Sequence, residues 1–304
     1  MNHLLKLLDL SKEEILEILN LGDQLKYEQK HGIPHAKLAG KTLGMIFEKA
    51  STRTRVSFEV GMYQLGGHAL FLSSRDLQIG RGEPIQDTAR VLSRYVDGIM
   101  IRTFAQKQVE DLAKYASIPI INGLTDFAHP CQVLADLMTV REFKGRLEGL
   151  KLCFIGDGNN MANSLIVGGL KTGMSVSIAC PEGYDPSPEV LEFASKIVAN
   201  GGVFELTCSP KQAVINADVV ITDVFASMGQ ENETEKRLKA FEGYQVNSEL
   251  MTLAKPDAMV LHCLPAHRDE EISKEIFEKH EKEIFEEAEN RLHAQKAVMV
   301  KLMA

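Results

Sequence analysis

The chain has 304 residues, 44% of them hydrophobic, and carries 34 basic against 42 acidic side chains for a formal net charge of −8. That length supports one large or two ordinary globular domains with a sizeable core. The acidic balance excludes nucleic acid as the main partner, because binding a phosphate backbone needs a broad basic surface, but it leaves room for a small anion in a local basic pocket.

The opening MNHLLKLLDLSKEE is leucine-rich but meets Asp9, Glu13 and Glu14 almost at once. It has no long apolar run and no small-residue cleavage site, so it reads as neither signal peptide nor membrane span. Ser11 followed by Glu14 predicts a capping box that starts an amphipathic helix with Ile15, Ile18 and Leu19 inward. Strands are then predicted at Thr42–Phe47, His68–Leu72, Gly98–Arg102 and Ile118–Ile121. Between and after them, helical patterns run over Arg53–Leu65, Asp87–Tyr95, Val109–Tyr115 and Pro130–Phe143. The segment 144–149, with two glycines, breaks the rhythm and marks a domain junction. A second series follows, with strands at Leu150–Ile155, Ser175–Ala179, Val203–Leu206, Asp218–Thr222 and Ala258–His262. Its helices are Met161–Lys171, Glu189–Asn200, Pro210–Asn216 and Ser248–Ala254, with a polar loop after Thr222 and a closing helix at Glu289–Leu302. This βα alternation predicts an α/β fold of two domains, each a parallel sheet flanked by helices.

Ligands in such sheets sit at the carboxyl ends of the strands. After the first strand stands STRTR, Ser51 to Arg55, at a helix start. Free N–H groups, hydroxyls and guanidinium groups there suit an oxyanion or phosphate. The plainer alternative is a capping serine with two solvated arginines. Arg102 ends the third strand, and HPCQ, His129 to Gln132, opens a helix with Pro130 at its first position. Both lie at the same end of one sheet as STRTR.

In the second series, IGDGNN resembles half of a dinucleotide fingerprint. Gly156 and Gly158 fit G-x-G, and Glu182 after the next strand could mimic the ribose acid, but Met161 replaces the third glycine. The amides of Asn159 and Asn160 equally suit a small polar ligand. Asp223 ends the strand VVITD ahead of Ser227, Met228 and Gly229, and HCLP, His262 to Pro265, ends the last strand. His262 and Cys263 alternate faces along that strand, so only one of them can meet a given ligand. The five cysteines, Cys131, Cys153, Cys180, Cys208 and Cys263, are odd in number and widely spaced, with no Cys-x-x-Cys. They predict reduced thiols in a cytoplasmic protein rather than a disulfide or zinc framework.

STRTR, HPCQ, Asp223 with SMG, and HCLP, in this order, resemble the aspartate/ornithine carbamoyltransferase family over essentially the whole chain. STRTR and HPxQ belong to the wider family, whereas Asp223 with SMG, together with HCLP, points to ornithine as the acceptor. The resemblance implies that residues 1–145, with the C-terminal helix 289–304 packed back on them, bind carbamoyl phosphate, and that 146–288 bind L-ornithine. It implies a carbamoyl phosphate site of Ser51, Thr52, Arg53, Thr54, Arg102, His129, Gln132, Cys263, Leu264 and Arg291, with Gln78 donated by a neighbouring subunit. Asn160, Asp223, Ser227 and Met228 would hold ornithine, and Arg102, His129 and Cys263 would serve catalysis. The reaction implied is carbamoyl transfer to the side-chain amine, giving L-citrulline and phosphate in arginine metabolism. It needs no metal or redox cofactor. A homotrimer, or a multiple of trimers, without nucleic acid or membrane partners is the implied assembly. A sister enzyme acting on putrescine is the nearest alternative, though it would not need Asp223 and Ser227. An NAD-dependent oxidoreductase is the distant one.

Overall fold

The computed structural model describes residues 1–78, 82–226 and 231–304. The chain divides into two compact units, Met1–Met138 with Glu289–Ala304, and Thr139–Ala288.

The first unit opens with α1 (Lys12–Lys30), started by the expected box: Ser11 Oγ accepts from the Glu14 N–H at 3.1 Å, and the Ser11 N–H donates to the Glu14 carboxylate at 2.9 Å. Its strands β1 (Thr42–Phe47), β2 (His68–Ser73), β3 (Gly98–Arg102) and β4 (Ile120–Leu124) form one parallel sheet in the order β2-β1-β3-β4. The helices α2 (Thr52–Gln64), α3 (Ile85–Leu92) and α4 (Gln106–Tyr115) connect them, and α5 (Pro130–Lys144) follows β4. The central β1 and β3 read as near-continuous apolar runs because both faces are covered, whereas the edge strand β2 stays partly exposed. The other edge is closed by the chain's own start, where Leu4 bridges Ile121. β4 therefore lies two residues later than its Ile118–Ile121 pattern suggests, in the register that pairs it with Leu4.

The second unit pairs β5 (Lys151–Ile155), β6 (Ser175–Ala179), β7 (Phe204–Thr207), β8 (Val219–Thr222) and β9 (Met259–His262) in the parallel order β7-β6-β5-β8-β9. Its helices are α6 (Asn160–Lys171), α7 (Pro188–Val198), α8 (Pro210–Ala213), α9 (Thr234–Ala240), α10 (Ser248–Met251) and α11 (Lys274–Lys279). Two differences from the sequence reading stand out. The polar stretch after Thr222 carries α9, and the final helix, α12 (Glu281–Met303), begins eight residues before Glu289. Both escape periodicity because their apolar contacts are few and spaced among charges.

The two units repeat one device. Asp97, just before β3, accepts the Thr42 N–H that opens β1 at 2.8 Å, and Asp218, just before β8, accepts the Lys151 N–H that opens β5 at 2.8 Å. Each carboxylate thus satisfies a strand-end donor and aligns the starts of two central neighbours. Among the described residues, no helix is long and apolar enough to cross a membrane.

Candidate active site

In the first unit, β1 delivers the chain to Ser51, whose extended backbone and side chain cap α2 by accepting the Thr54 N–H at 3.3 Å. Thr52 is exposed, Arg53 half-buried and Thr54 fully buried. Thr54 Oγ1 accepts a 2.7 Å hydrogen bond from the Arg291 guanidinium, 237 residues away on α12. Arg102 at the end of β3, His129 just before α5, and Arg291 are all buried. Burial pushes His129 well below the usual histidine range, and the charges of Arg291 and then Arg102 push it further. His129 is therefore a neutral imidazole at pH 7 with one N–H to donate. Thr54, Arg102, His129 and Arg291 thus form one positively charged cluster at the carboxyl ends of β1, β3 and β4.

Gln132 and Asp136, one turn apart on α5, are both fully buried, and Gln132 Nε2 donates to Asp136 at 2.8 Å, which assigns the orientation of the amide. Cys131 of the same motif is a buried thiol raised to about 12 by desolvation, so it is no nucleophile. Arg55 sits outside this cluster. It is exposed, pairs with Glu59 at 3.0 Å and lies 3.7 Å over the Phe71 ring. Gln78 is exposed on the first unit.

In the second unit, Asn159 caps α6 by accepting the N–H groups of Met161 and Ala162, and its Nδ2 donates to Asp223 at 3.5 Å. Asn160 is the first residue of that helix. Asp223 is buried and also accepts from the Val224 N–H at 2.8 Å and from the Cys263 thiol at 3.0 Å. The expected alternation at HCLP resolves in one direction. His262 is 1% exposed and turned into the unit, while Cys263 meets Asp223. Leu264 that follows has φ +57°, a left-handed conformation rare for a branched side chain. Ser227 and Met228 lie outside the described residues.

The donor atoms of Asp223, His262 and Cys263 lie within 4.8 Å of one another, which raises the question of a metal. The histidine chemistry answers it. The Leu264 N–H donates to His262 Nδ1 at 2.9 Å, so the proton is on Nε2, which donates to Glu271 at 2.9 Å. Both ring nitrogens are committed, and the trio lacks a histidine lone pair for a cation.

Sequence reasoning missed one pair that shapes this half-site. Asp157 of GDGNN is joined to Arg237 at 2.7 Å, and both are buried. Burial raises the Asp157 carboxyl above its usual value, and Arg237 offsets part of that. Arg237 also donates to the Phe225 carbonyl at 3.0 Å. It therefore ties the loop before Asn160 to the exit of β8 after Asp223. The only local sign of this was Glu233 one turn before Arg237. The second glycine of GDGNN serves packing too. A Cβ on Gly158 would lie 2.3 Å from the Tyr184 carbonyl oxygen, so the glycine is required by the close approach of the chain's own backbone.

Residues 2–142 match "Aspartate/ornithine carbamoyltransferase, carbamoyl-P binding domain", and residues 148–302 match "Aspartate/ornithine carbamoyltransferase, Asp/Orn binding domain". An ornithine carbamoyltransferase of Thermococcus kodakarensis is 58% identical over 296 residues, covering 97% of this chain and 94% of its own. The structure of ornithine carbamoyltransferase from Pyrococcus furiosus superposes with a TM-score of 0.95 at 55% identity, covering 99% of this chain and 97% of its own. The anabolic ornithine carbamoyltransferase of Campylobacter jejuni gives 0.93 at 47% identity, covering 99% of each chain.

Proposed function

This chain belongs to the aspartate/ornithine carbamoyltransferase family, and from that membership we propose how its residues divide the reaction. It is an enzyme that transfers the carbamoyl group of carbamoyl phosphate to the side-chain amine of L-ornithine, giving L-citrulline and phosphate. Relatives described as anabolic support a role in arginine biosynthesis.

Residues 1–145 with 289–304 bind the donor and 146–288 the acceptor, a division supported by the two family matches. The observation that carries the donor assignment is the buried cluster of Thr54, Arg102, His129 and Arg291 beside the Ser51 cap. Ser51, Thr52, Arg53 and Thr54 hold the phosphate at the start of α2, where N–H groups and guanidinium groups converge. Arg102, His129 and Thr54 face the carbonyl oxygen, and Gln132 and the Leu264 carbonyl address the carbamoyl amine. Gln78 reaches a neighbouring copy in a homotrimer or a multiple of trimers. Exposed Val56, Val60, Tyr63 and Phe71 on α2 and β2 support such an interface. Five free thiols support a cytoplasmic setting.

Asn160 meets the ornithine carboxylate, and Asp223, Ser227 and Met228 hold its α-amino group. The side-chain amine, with an ordinary pKa near about 10.4 for a lysine-like group, must be neutral to attack. Its lone pair forms the C–N bond, negative charge gathers on the carbonyl oxygen, and the C–O bond to phosphate then breaks. Buried donors already in place stabilise that charge without reorganising. Neutral His129 suits this role as a donor, because an imidazolium there would face two arginines. The thiol hydrogen of Cys263 is already given to Asp223, so the departing phosphate takes the amine proton.

Incubation with carbamoyl phosphate and ornithine yields citrulline and phosphate in equal amounts. No citrulline, with turnover of putrescine or aspartate instead, overturns the assignment of the acceptor.

A further inference from the structure

Glu48 follows β1 directly and stands three residues before Ser51. A carboxylate there opposes anion binding electrostatically, so its presence needs a reason. Its contacts supply one. Gln108 Nε2, in the first turn of α4, donates to Glu48 Oε1 at 2.6 Å, and the Thr103 hydroxyl bonds Glu48 Oε2. The same hydroxyl lies 2.5 Å from the Gln108 amide oxygen; its one hydrogen goes to the Glu48 carboxylate, and the three side chains meet as a ring around a fully buried threonine. The Glu48 N–H also donates to the Arg102 carbonyl at 2.9 Å.

We infer that Glu48 is a positioning residue for the donor site: its ring with Thr103 and Gln108 fixes the phosphate-binding turn Ser51–Thr54 against Arg102. Thr103 is the residue after Arg102, so the ring joins the exit of β1 to the exit of β3 at the point where both deliver ligand groups. The inference rests on the assignment of those groups to carbamoyl phosphate.

The test titrates inorganic phosphate into the full-length protein by calorimetry, for the wild type and for Glu48→Ala, Glu48→Gln, Thr103→Val and Arg53→Ala. Glu48→Ala and Thr103→Val each weaken binding about tenfold, the scale of one net hydrogen bond. Glu48→Gln stays within about twofold of wild type. Its amide nitrogen donates to Thr103, Thr103 donates to the Gln108 oxygen, and Gln108 donates to the new carbonyl, so the ring keeps its geometry with a hydrogen at each contact. Coulomb's law alone predicts the opposite sign, with tighter binding in both Glu48 variants. In steady state, Glu48→Ala raises the KM for carbamoyl phosphate and leaves the KM for ornithine in place, which a general loss of folded protein would not do.

Unchanged or tighter phosphate binding in Glu48→Ala, or equal loss in Glu48→Gln and Glu48→Ala, overturns the inference. If Glu48→Ala does not fold, Thr103→Val, which removes a single hydroxyl, decides it by the same criterion. Arg53→Ala separates the two levels of the claim. Should it keep full phosphate affinity, the donor-site assignment itself falls. Should it lose affinity while Glu48→Ala and Thr103→Val do not, only the positioning role falls.

Discussion

Replacing Asp223 by Asn probes the acceptor half-site with little change in volume. The wild-type carboxylate is 7% exposed and accepts from the Val224 N–H, the Cys263 thiol and, at 3.5 Å, Asn159 Nδ2. An amide keeps one oxygen, which the Val224 N–H and the thiol claim. Its nitrogen then takes the second position, facing the amide nitrogen of Asn159, with two donors opposed. The bond to an ornithine ammonium loses its charge as well. Hydrogen bonds to charged groups contribute about 1.5–3 kcal/mol, so the KM for ornithine should rise about 10- to 150-fold. The KM for carbamoyl phosphate, proposed to bind mainly through residues of the other unit, should move by less than about threefold, because effects at separate sites are close to additive. Steady-state kinetics with each substrate varied against saturation of the other gives both values. An equal rise in both constants would refute the division of labour between the two units.

Arg102→Ala should lower kcat on the order of 10²-fold or more by removing a donor to the developing oxyanion, and a change confined to KM would exclude that role. Cys263→Ser should keep kcat within about tenfold, because a hydroxyl also donates to Asp223 and phosphate is the proposed proton acceptor; a loss of about 10³-fold or more would make the thiol the base. Arg237→Ala strands the buried carboxylate of Asp157 and should destabilise the protein by about 3–5 kcal/mol in urea unfolding, where an unchanged midpoint would show the pair to be dispensable. His293, lowered from 6.5 to about 4 mainly by burial, stays neutral in the folded chain while the unfolded chain takes up its proton. Its contribution to stability is therefore full above about pH 6.5 and falls by about 3 kcal/mol as pH drops towards 4. His293→Gln should flatten that acid limb by about one proton, and an unaltered slope in a pH series of unfolding curves would rule His293 out as its source.

Strands β1, β3, β5 and β8 were readable because both of their faces are buried, which forces apolar runs that need no context. α1 was readable because Ser11 and Glu14 satisfy each other within one turn. α9 was not. Its only buried side chain is the charged Arg237, so no apolar stripe announces it. The early start of α12 was hidden for a related reason. In the turns it adds, 281–288, the buried side chains are Ile284 and the charged Glu287, which a hydropathy pattern reads as surface. Buried polar residues of this kind are intelligible only with their partners, as when Lys296 Nζ bonds His35 and Gln64, both more than 200 residues away.

The same distinction divides the site. The helix starts at Ser51, His129 and Asn160 were legible because a helix start is a local event, and helix starts at strand ends are where this architecture exposes N–H groups. Arg291, Asp157 with Arg237, and Glu48 act through contacts that span 237, 80 and at least 55 positions. Of these, only Arg291 was reached, and by family resemblance rather than from its own neighbours. The groups proposed to touch ligand are thus set by short motifs, whereas the groups that hold those motifs in place are set by chain topology. A helix start supplies donors wherever it occurs. Whether those donors converge on one phosphate depends on what fixes one strand exit against the next, and Glu48 and Arg237 each span such a pair of exits. Substitutions at these two positions therefore test the geometry of the site separately from its chemistry.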